Sequence, residues 1–456
     1  MSKDTPERLT IIGGGLAGCE AAWQAAIRGV PVTLYEMRPQ RMTEAHTSGM
    51  LAELVCSNSL GSKVRNRATG LLKEECSLLG SLLIDCADQN SLPAGDALAV
   101  DRTLFAKTVT RKIENHPNIT IIREEILEIP SGPVIIASGP LTSPHLAESI
   151  LRITGARQLF FYDAIAPIVT AESINMDIAF RASRYKYEND PHGDYINCPF
   201  SEEQYHAFIH ALLSAKRFEL SENEKVVEQG VQVNQPAFFE ACLPVEVMAA
   251  RDPLVLSFGP MRPTGLRNPH NGERPYAIVQ LRQDDLADTL YNMVGFQTNL
   301  LHAEQASVFR MIPGLEKAEF VRYGQMHRNT YINAPEMLDA TLQSRGRADL
   351  FFAGQVAGIE GYVGNIGAGL VAGINAARLL QGKPLLEFPQ ETMIGAMLNY
   401  ISHAAAERFQ PMKANFGILT PLESKQVNKK DRGFIYAKRA LRSLAEFLAS
   451  NQVVGE

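Results

Sequence analysis

The residues best suited to chemistry fall into two sets. The first is the glycine-rich run Gly13-Gly14-Gly15-Leu16-Ala17-Gly18, a GxGxxG turn, with Glu36 18 residues beyond it. Such a turn serves a dinucleotide: Gly13 makes the tight bend, Gly15 lets the main chain approach a pyrophosphate, and Gly18 lets the next helix pack closely on a sheet. The free N–H groups and partial positive charge at that helix's amino end then hold the phosphates. The second set is six cysteines, Cys19, Cys56, Cys76, Cys86, Cys198 and Cys242. None has the CxxC spacing of a zinc or dithiol centre, and so few in 456 residues make no disulfide framework, so no metal site is expected. They read as reduced thiols, most of them small buried hydrophobes.

The elements that must position these residues are legible around them. Leu9-Thr10-Ile11-Ile12 reads as a buried strand running into the turn, a helix follows through Ala21, Ala22 and Ala25 to Gly29, and a second strand, Val32–Tyr35, delivers Glu36 to an adenosine ribose. Much later, Pro133 to Pro140 and Leu350 to Gln355 read as strands ending in small residues, the second at Gly354-Gln355. A glycine-rich segment, Gly358 to Gly373, then runs into a helical stretch, Ile374 to Leu380. These late segments resemble those of large flavoproteins, in which they return to the first nucleotide fold and contact the flavin. The expected class is therefore α/β, a Rossmann-like FAD-binding domain of the large flavoprotein type, split by an inserted α+β domain. Residues 1–159 and 331–456 form the FAD-binding parts, and the Pro- and aromatic-rich residues 160–330 form the insertion.

Composition narrows the class. Hydrophobic residues make up 45% and charged residues 21%, which excludes disordered, collagen-like and mucin-like chains. The formal charge of -6 argues against a uniformly basic nucleic-acid binder but leaves room for local patches. The best of these runs from Lys425 to Arg442, where Lys425, Lys429, Lys430, Arg432, Lys438, Arg439 and Arg442 face the single acid Asp431, with Phe434 and Tyr436 placed to stack on bases. Its alternative is a solvated helix face. Lys63, Arg65 and Arg67 make a second cluster. The amino-terminal residues contain no apolar stretch of signal-peptide length, and the apolar run from Phe351 to Leu380 is interrupted by Gln355, Glu360 and Asn365. A soluble, cytoplasmic protein without membrane contact is expected.

Over nearly its full length the chain resembles the folate- and FAD-dependent tRNA uracil-5-methyltransferases known as TrmFO. The resemblance is carried by GLAGCEAAWQ and LYEMRP, AELVCSNSL at Ala52–Leu60, PAGDALAVDR at Pro93–Arg102, FFEACLPVE at Phe238–Glu246, GPMRPTGL at Gly259–Leu266, RPYAIVQLRQDD at Arg274–Asp285, GQMHRNTYIN at Gly324–Asn333 and FFAGQVAGIEGYV at Phe351–Val363. It departs at Gly61, at Ser138, at Asn268-Pro269-His270-Asn271-Gly272 and at Leu301-His302-Ala303, away from the nucleotide glycines and the two motif cysteines.

The resemblance implies FAD, methylenetetrahydrofolate as one-carbon donor, NAD(P)H as reductant, and the T-arm of tRNA as substrate. It implies Cys242 as the thiolate that adds to uracil C6, with a buried thiol beside Pro244 as its alternative. Cys56 follows as the acid/base for the C5 proton or as a redox partner of Cys242. His327, Arg328 and Asn329 are candidates for folate, while Lys63, Arg65, Lys425, Lys429, Lys430, Arg432 and Arg439 are candidates for RNA. Three other readings stay open: the same chemistry on a ribosomal RNA uridine, a small-molecule FAD oxidoreductase, and a non-enzymatic RNA-binding flavoprotein. Either a monomer or a homodimer is compatible with the sequence.

Overall fold

The structure is a computed structural model that describes residues 7–155, 159–184, 193–218, 243–422, 428 and 431–451; within these, the side chains of 154, 159–164, 326–328 and 408 lie outside the description. The chain enters through β1 (Leu9–Ile12), turns into α1 (Leu16–Ile27) and returns in β2 (Val32–Tyr35). Strands β3 (Ile119–Ile122), β4 (Val134–Ile136) and β5 (Arg347–Phe352) complete a parallel sheet in the order β5-β4-β1-β2-β3, with a short antiparallel strand, Gln343–Ser344, beyond β5. The register sets Ile12 beside both Tyr35 and Ile136, so the strands end level and their carboxyl ends form one rim. Runs such as Val134-Ile135-Ile136 and Leu350-Phe351-Phe352 are buried throughout, as a sheet covered on both faces requires.

Helix α2 (Tyr362–Leu380) lies against α1. The helical stretch read from Ile374 starts earlier, because the helix begins at Tyr362 and takes in Gly364, Gly367, Gly369 and Gly373 of the glycine-rich segment. Packing overrides the low helix propensity of glycine: a Cβ at Gly369 would overlap the carbonyl oxygen of Ala17, and one at Gly373 would lie 2.5 Å from that of Ala21. The two backbones therefore approach more closely than side chains would permit. By length and composition α2 could also cross a membrane, but 83% of its apolar window is buried inside the protein.

Two separate cores divide the chain. The larger draws on residues between Leu9 and Ile150 and again between Tyr331 and Leu444; the other draws on Val169 to Ala318. That second core lies beneath an antiparallel sheet in the order Phe180–Ala182, Tyr195–Phe200, Ala277–Gln283, Leu290–Met293, Ile168–Thr170, Phe320–Arg322. A final helix, α3 (Arg432–Asn451), packs on the larger core through Tyr436, Ala437, Ala440 and Leu444.

Candidate active site

A cleft of about 1040 Å³ opens along the rim of the parallel sheet. Gly13, Gly15, Leu16 and Ala17 line it from the first turn, Glu36 and Arg38 from the end of β2, Ser138 to Ser143 from beyond β4, and Ala353, Gln355, Tyr362 and Asn365 from the late segments. Gly15 is extended (φ -78°, ψ -166°), and a Cβ built on it meets no atom within 4 Å. The space above the amino end of α1 is thus open, and no side-chain cap occupies its N–H groups. This cradle fits a pyrophosphate. Gly14, Gly18 and Gly354 stand behind the cleft wall: the Gly14 N–H donates to Glu36, a Cβ at Gly18 would overlap the Gly13 carbonyl oxygen, and one at Gly354 would lie 2.7 Å from Asn365 Oδ1.

Glu36 reaches the cleft but is more heavily engaged than the spacing suggests. Its carboxylate accepts from the Gly14 N–H at 2.9 Å, the Arg38 N–H at 3.0 Å, and Arg38 Nε and Nη2 at 2.9 and 3.1 Å. Burial disfavours its charge, yet the Arg38 hydrogen bonds and positive charge outweigh burial and hold the carboxyl below the usual range. Four donors occupy about four lone-pair positions, so a ribose hydroxyl reaching Glu36 must share an oxygen with one of them. Arg38 also contacts Glu53 at 3.3 Å. His46, hydrogen-bonded to the Thr43 hydroxyl, is pushed down to about 4 by burial and by the Arg38 charge, so it is neutral at pH 7.

Cys56 sits half-buried beside Val55, at the edge of this cleft. Its Sγ lies 3.0 Å from the Tyr362 hydroxyl, which also accepts the N–H groups of Cys56 (2.9 Å) and Ser57 (3.1 Å). With both acceptor positions filled by main-chain donors, the phenol's own proton is directed at sulfur, an arrangement that favours a thiolate. Burial, followed by the charge of Cys56, raises the phenol's pKa well above its ordinary value, so Tyr362 stays protonated. On the other side, Arg102 Nη1 donates to the carbonyls of Leu54 (3.0 Å) and Val55 (3.4 Å). Arg282 and Arg322 are also within electrostatic reach of the thiol.

Cys242 lies outside the described residues, as do Lys425, Lys429 and Lys430. The described chain resumes at Leu243, and Pro244 caps a short helix, Val245–Arg251, whose Glu246 accepts the Asn299 N–H at 2.7 Å. His327 and Arg328 belong to the strand Met326–Tyr331, their side chains outside the description; Asn329 on the same strand is buried. The Thr330 N–H donates to the Pro140 carbonyl at 2.9 Å, which ties this strand to the cleft wall. Cys19 is fully buried, its pKa pushed up by burial and its Sγ turned to the Gly14 carbonyl, as expected of packing.

The basic residues sort differently. Lys63, Arg65 and Arg67 are exposed, Arg65 pairing with Glu74 at 3.1 Å. Arg432 is exposed above the Tyr436 ring. A Cβ at Gly433 would overlap the Asn66 carbonyl oxygen, so the start of α3 abuts the Lys63–Arg67 segment. Two expectations are corrected. Tyr436 is buried and stacked on Phe416 at 5.4 Å, so of the two aromatics only Phe434, 54% exposed, presents a ring to solvent. Arg439 directs its Nη groups to the carbonyls of Thr420 and Pro421 and stacks on Tyr436, holding the helix in place.

Sequence reasoning did not assign Arg38, His46, Tyr362, Arg102, Arg282 or Arg322. Tyr362, Arg102 and Arg282 fall inside motif blocks, but nothing in those blocks shows that they converge on Cys56. Among the described residues, no group of His, Cys, Asp and Glu could hold a metal ion.

Fold and cleft together define a Rossmann-like FAD-binding protein with an inserted antiparallel domain. The family described as glucose inhibited division protein A matches residues 8–384. The solved structure of GidA from Aquifex aeolicus superposes with a TM-score of 0.71 at 18% identity, covering 100% of this chain and 75% of that one. Curated relatives are far more similar. Methylenetetrahydrofolate--tRNA-(uracil-5-)-methyltransferase TrmFO of Heliobacterium modesticaldum is 54% identical, over 98% of this chain and 99% of the relative. The proteins of the same name from Natranaerobius thermophilus and Bacillus subtilis are 56% and 53% identical, over 97% and 96% of this chain and 99% and 98% of theirs. The chain belongs to the TrmFO family of tRNA (uracil-5-)-methyltransferases.

Proposed function

We propose that the protein forms 5-methyluridine in the T-loop of tRNA, taking the carbon from methylenetetrahydrofolate. The observation that carries this beyond family membership is the half-buried Cys56 thiol, held on the Tyr362 hydroxyl at the edge of the dinucleotide cleft. C5 of uracil is a poor nucleophile until a thiolate adds at C6 and makes C5 enolate-like. Cys242 is assigned that addition. C5 then attacks the one-carbon electrophile and gives up its proton to a base, the role assigned to Cys56. Loss of that proton expels the tetrahydrofolate amine and leaves an exocyclic methylene on C5; hydride addition to the methylene then expels the Cys242 thiolate from C6 and restores the ring.

FAD is the group that fits the cradle. Gly13, Gly15 and the amino end of α1 would hold its pyrophosphate, Glu36 its ribose, and the walls at Ser138–Thr142, Gln355 and Tyr362 its ring. Bound and reduced, it supplies the hydride that turns the transferred carbon into a methyl group, with NAD(P)H as ultimate reductant. His327, Arg328 and Asn329 are assigned to folate. The division into residues 1–159, 160–330 and 331–456 is part of this reading and is supported by the two cores. RNA is assigned to Lys63, Arg65, Arg67, Arg432 and exposed Phe434.

The test supplies unmodified tRNA transcript, methylenetetrahydrofolate, NAD(P)H and FAD, and maps 5-methyluridine by mass spectrometry. A T-loop product that disappears in Cys242→Ala and Cys56→Ala supports the assignment. A product at another position overturns the substrate, and no product at all overturns the reaction.

A further inference from the structure

We infer that Arg282 is a positioning residue for Cys56, a buried fork from the inserted domain that sets the loop carrying the thiol. Arg282 lies on the strand Ala277–Gln283 and is 7% exposed. Its Nε donates to Asn58 Oδ1 at 2.7 Å, and its Nη2 to Ser57 Oγ at 2.9 Å and Asn292 Oδ1 at 3.4 Å. Asn58 answers with Nδ2 on the carbonyls of Gln283 (2.8 Å) and Val100 (3.1 Å). Both residues that follow Cys56 are therefore fixed from the inserted sheet. The two that precede it are fixed by Arg102, which itself pairs with Asp284 two residues beyond Arg282. One short stretch of the insertion thus governs both sides of the thiol.

The choice of side chain is informative. A guanidinium out of water is costly unless an acid compensates it, yet among the described residues the side-chain bonds of Arg282 are all to neutral oxygens, and Asp284 pairs with Arg102 instead. A neutral amide could tie two chain segments together at less cost. A cation here contributes two further things: a rigid fork that fixes Ser57 and Asn58 together, and a positive charge near sulfur. Among the described residues, the Tyr362 hydroxyl from α2 meets the Cys56 sulfur, Arg282 and Arg322 from the inserted sheet act on it electrostatically, and Arg102, paired with Asp284, holds the loop before it. The charges of Arg282 and Arg322 favour the thiolate. The fork keeps the N–H groups of Cys56 and Ser57 converged on the Tyr362 hydroxyl.

This inference rests on the reading of Cys56 as a reacting thiol, but its first readout needs no turnover. FAD-loaded protein is treated with iodoacetamide across a pH series, and alkylation of Cys56 is followed by peptide mass spectrometry. Arg282→Met should move the Cys56 profile to higher pH by about one unit, roughly tenfold slower at pH 7. It should also lower kcat for tRNA methylation more than it raises KM. Arg282→Lys, which keeps charge without the fork, should retain the alkylation profile and still lose kcat. Ser57→Ala removes one leg of the fork without disturbing the buried cation and should lower kcat by about two- to tenfold; it decides the matter if Arg282→Met does not fold. An unchanged alkylation profile in folded Arg282→Met overturns the electrostatic part. Full kcat in Arg282→Lys or Ser57→Ala overturns the positioning part. If the wild type methylates nothing, the proposed function fails while the alkylation series still judges this inference.

Discussion

Gly15→Ala separates the two duties that glycines perform around the dinucleotide cleft. In the protein alone the substitution is harmless: the backbone at Gly15 is extended with negative φ, and the added Cβ meets nothing within 4 Å. Restricting the unfolded chain should even stabilise the cofactor-free protein by about 0.4–1 kcal/mol. With FAD present the same methyl stands where the pyrophosphate must approach the main chain. Displacing it from one N–H donor at the start of α1 forfeits a charge-assisted hydrogen bond worth about 1.5–3 kcal/mol. FAD affinity should therefore fall by roughly 10- to 150-fold. Gly18→Ala is the contrast, since its Cβ would overlap the Gly13 carbonyl oxygen and force α1 off the sheet, with or without cofactor. The assay pairs thermal unfolding of the cofactor-free chains with titration of FAD by flavin fluorescence. Undiminished FAD binding by Gly15→Ala would refute the placement of the pyrophosphate, and a cofactor-free loss above about 2 kcal/mol would refute the open space inferred at that position.

Three further outcomes follow from the same geometry. Tyr362→Phe strips the acceptor from two half-buried N–H groups and should cost about 1–3 kcal/mol in chemical denaturation, along with slower alkylation of Cys56 at pH 7; unchanged values in both would remove Tyr362 from the thiol's environment. Glu75, buried while accepting the N–H groups of Met393 and Ile394, is raised to about 7 by burial. Because its folded value exceeds the unfolded one, its contribution is complete below about pH 4.5 and is lost as pH rises to about 7, a decline on the order of 3 kcal/mol that Glu75→Gln should flatten in a stability–pH series. Replacing Lys63, Arg65 and Arg432 together by Ala should weaken tRNA binding and make the slope of log affinity against log salt shallower by up to about three; an unaltered slope would move the RNA to another face.

The parts of the fold and site legible in the sequence share a physical character. The βαβ cradle depends on interactions within a few residues: a glycine at φ +107° in the turn, a helix beginning where its N–H groups are free, and alternation of strand and helix. Residues 9–36 therefore announced both their structure and their ligand class. The glycines of α2 hid the start of the helix because their local propensity is for loops, whereas their use is close packing across α1, a contact between segments some 350 residues apart in sequence. Tyr436 and Arg439 misled for a related reason: a charge and an aromatic ring on a basic helix look alike whether they face solvent or the body of the protein.

What the sequence by itself determined is the dinucleotide frame and the insertion within it; the two cysteines are proposed from the family resemblance its motifs carry. Tertiary structure alone decided the environment of Cys56, which receives Tyr362 from the late nucleotide-fold helix, Arg102 against its loop from the early helix, and Arg282 and Arg322 from the inserted sheet. It likewise decided that the start of α3 meets the Lys63–Arg67 segment, more than 360 residues away in sequence, through the contact of Gly433 with Asn66. Backbone sterics and periodicity act locally and leave their mark in neighbouring residues. Burial, electrostatic field and hydrogen-bond convergence act through space, so they are set only once the core has closed and brought distant segments together.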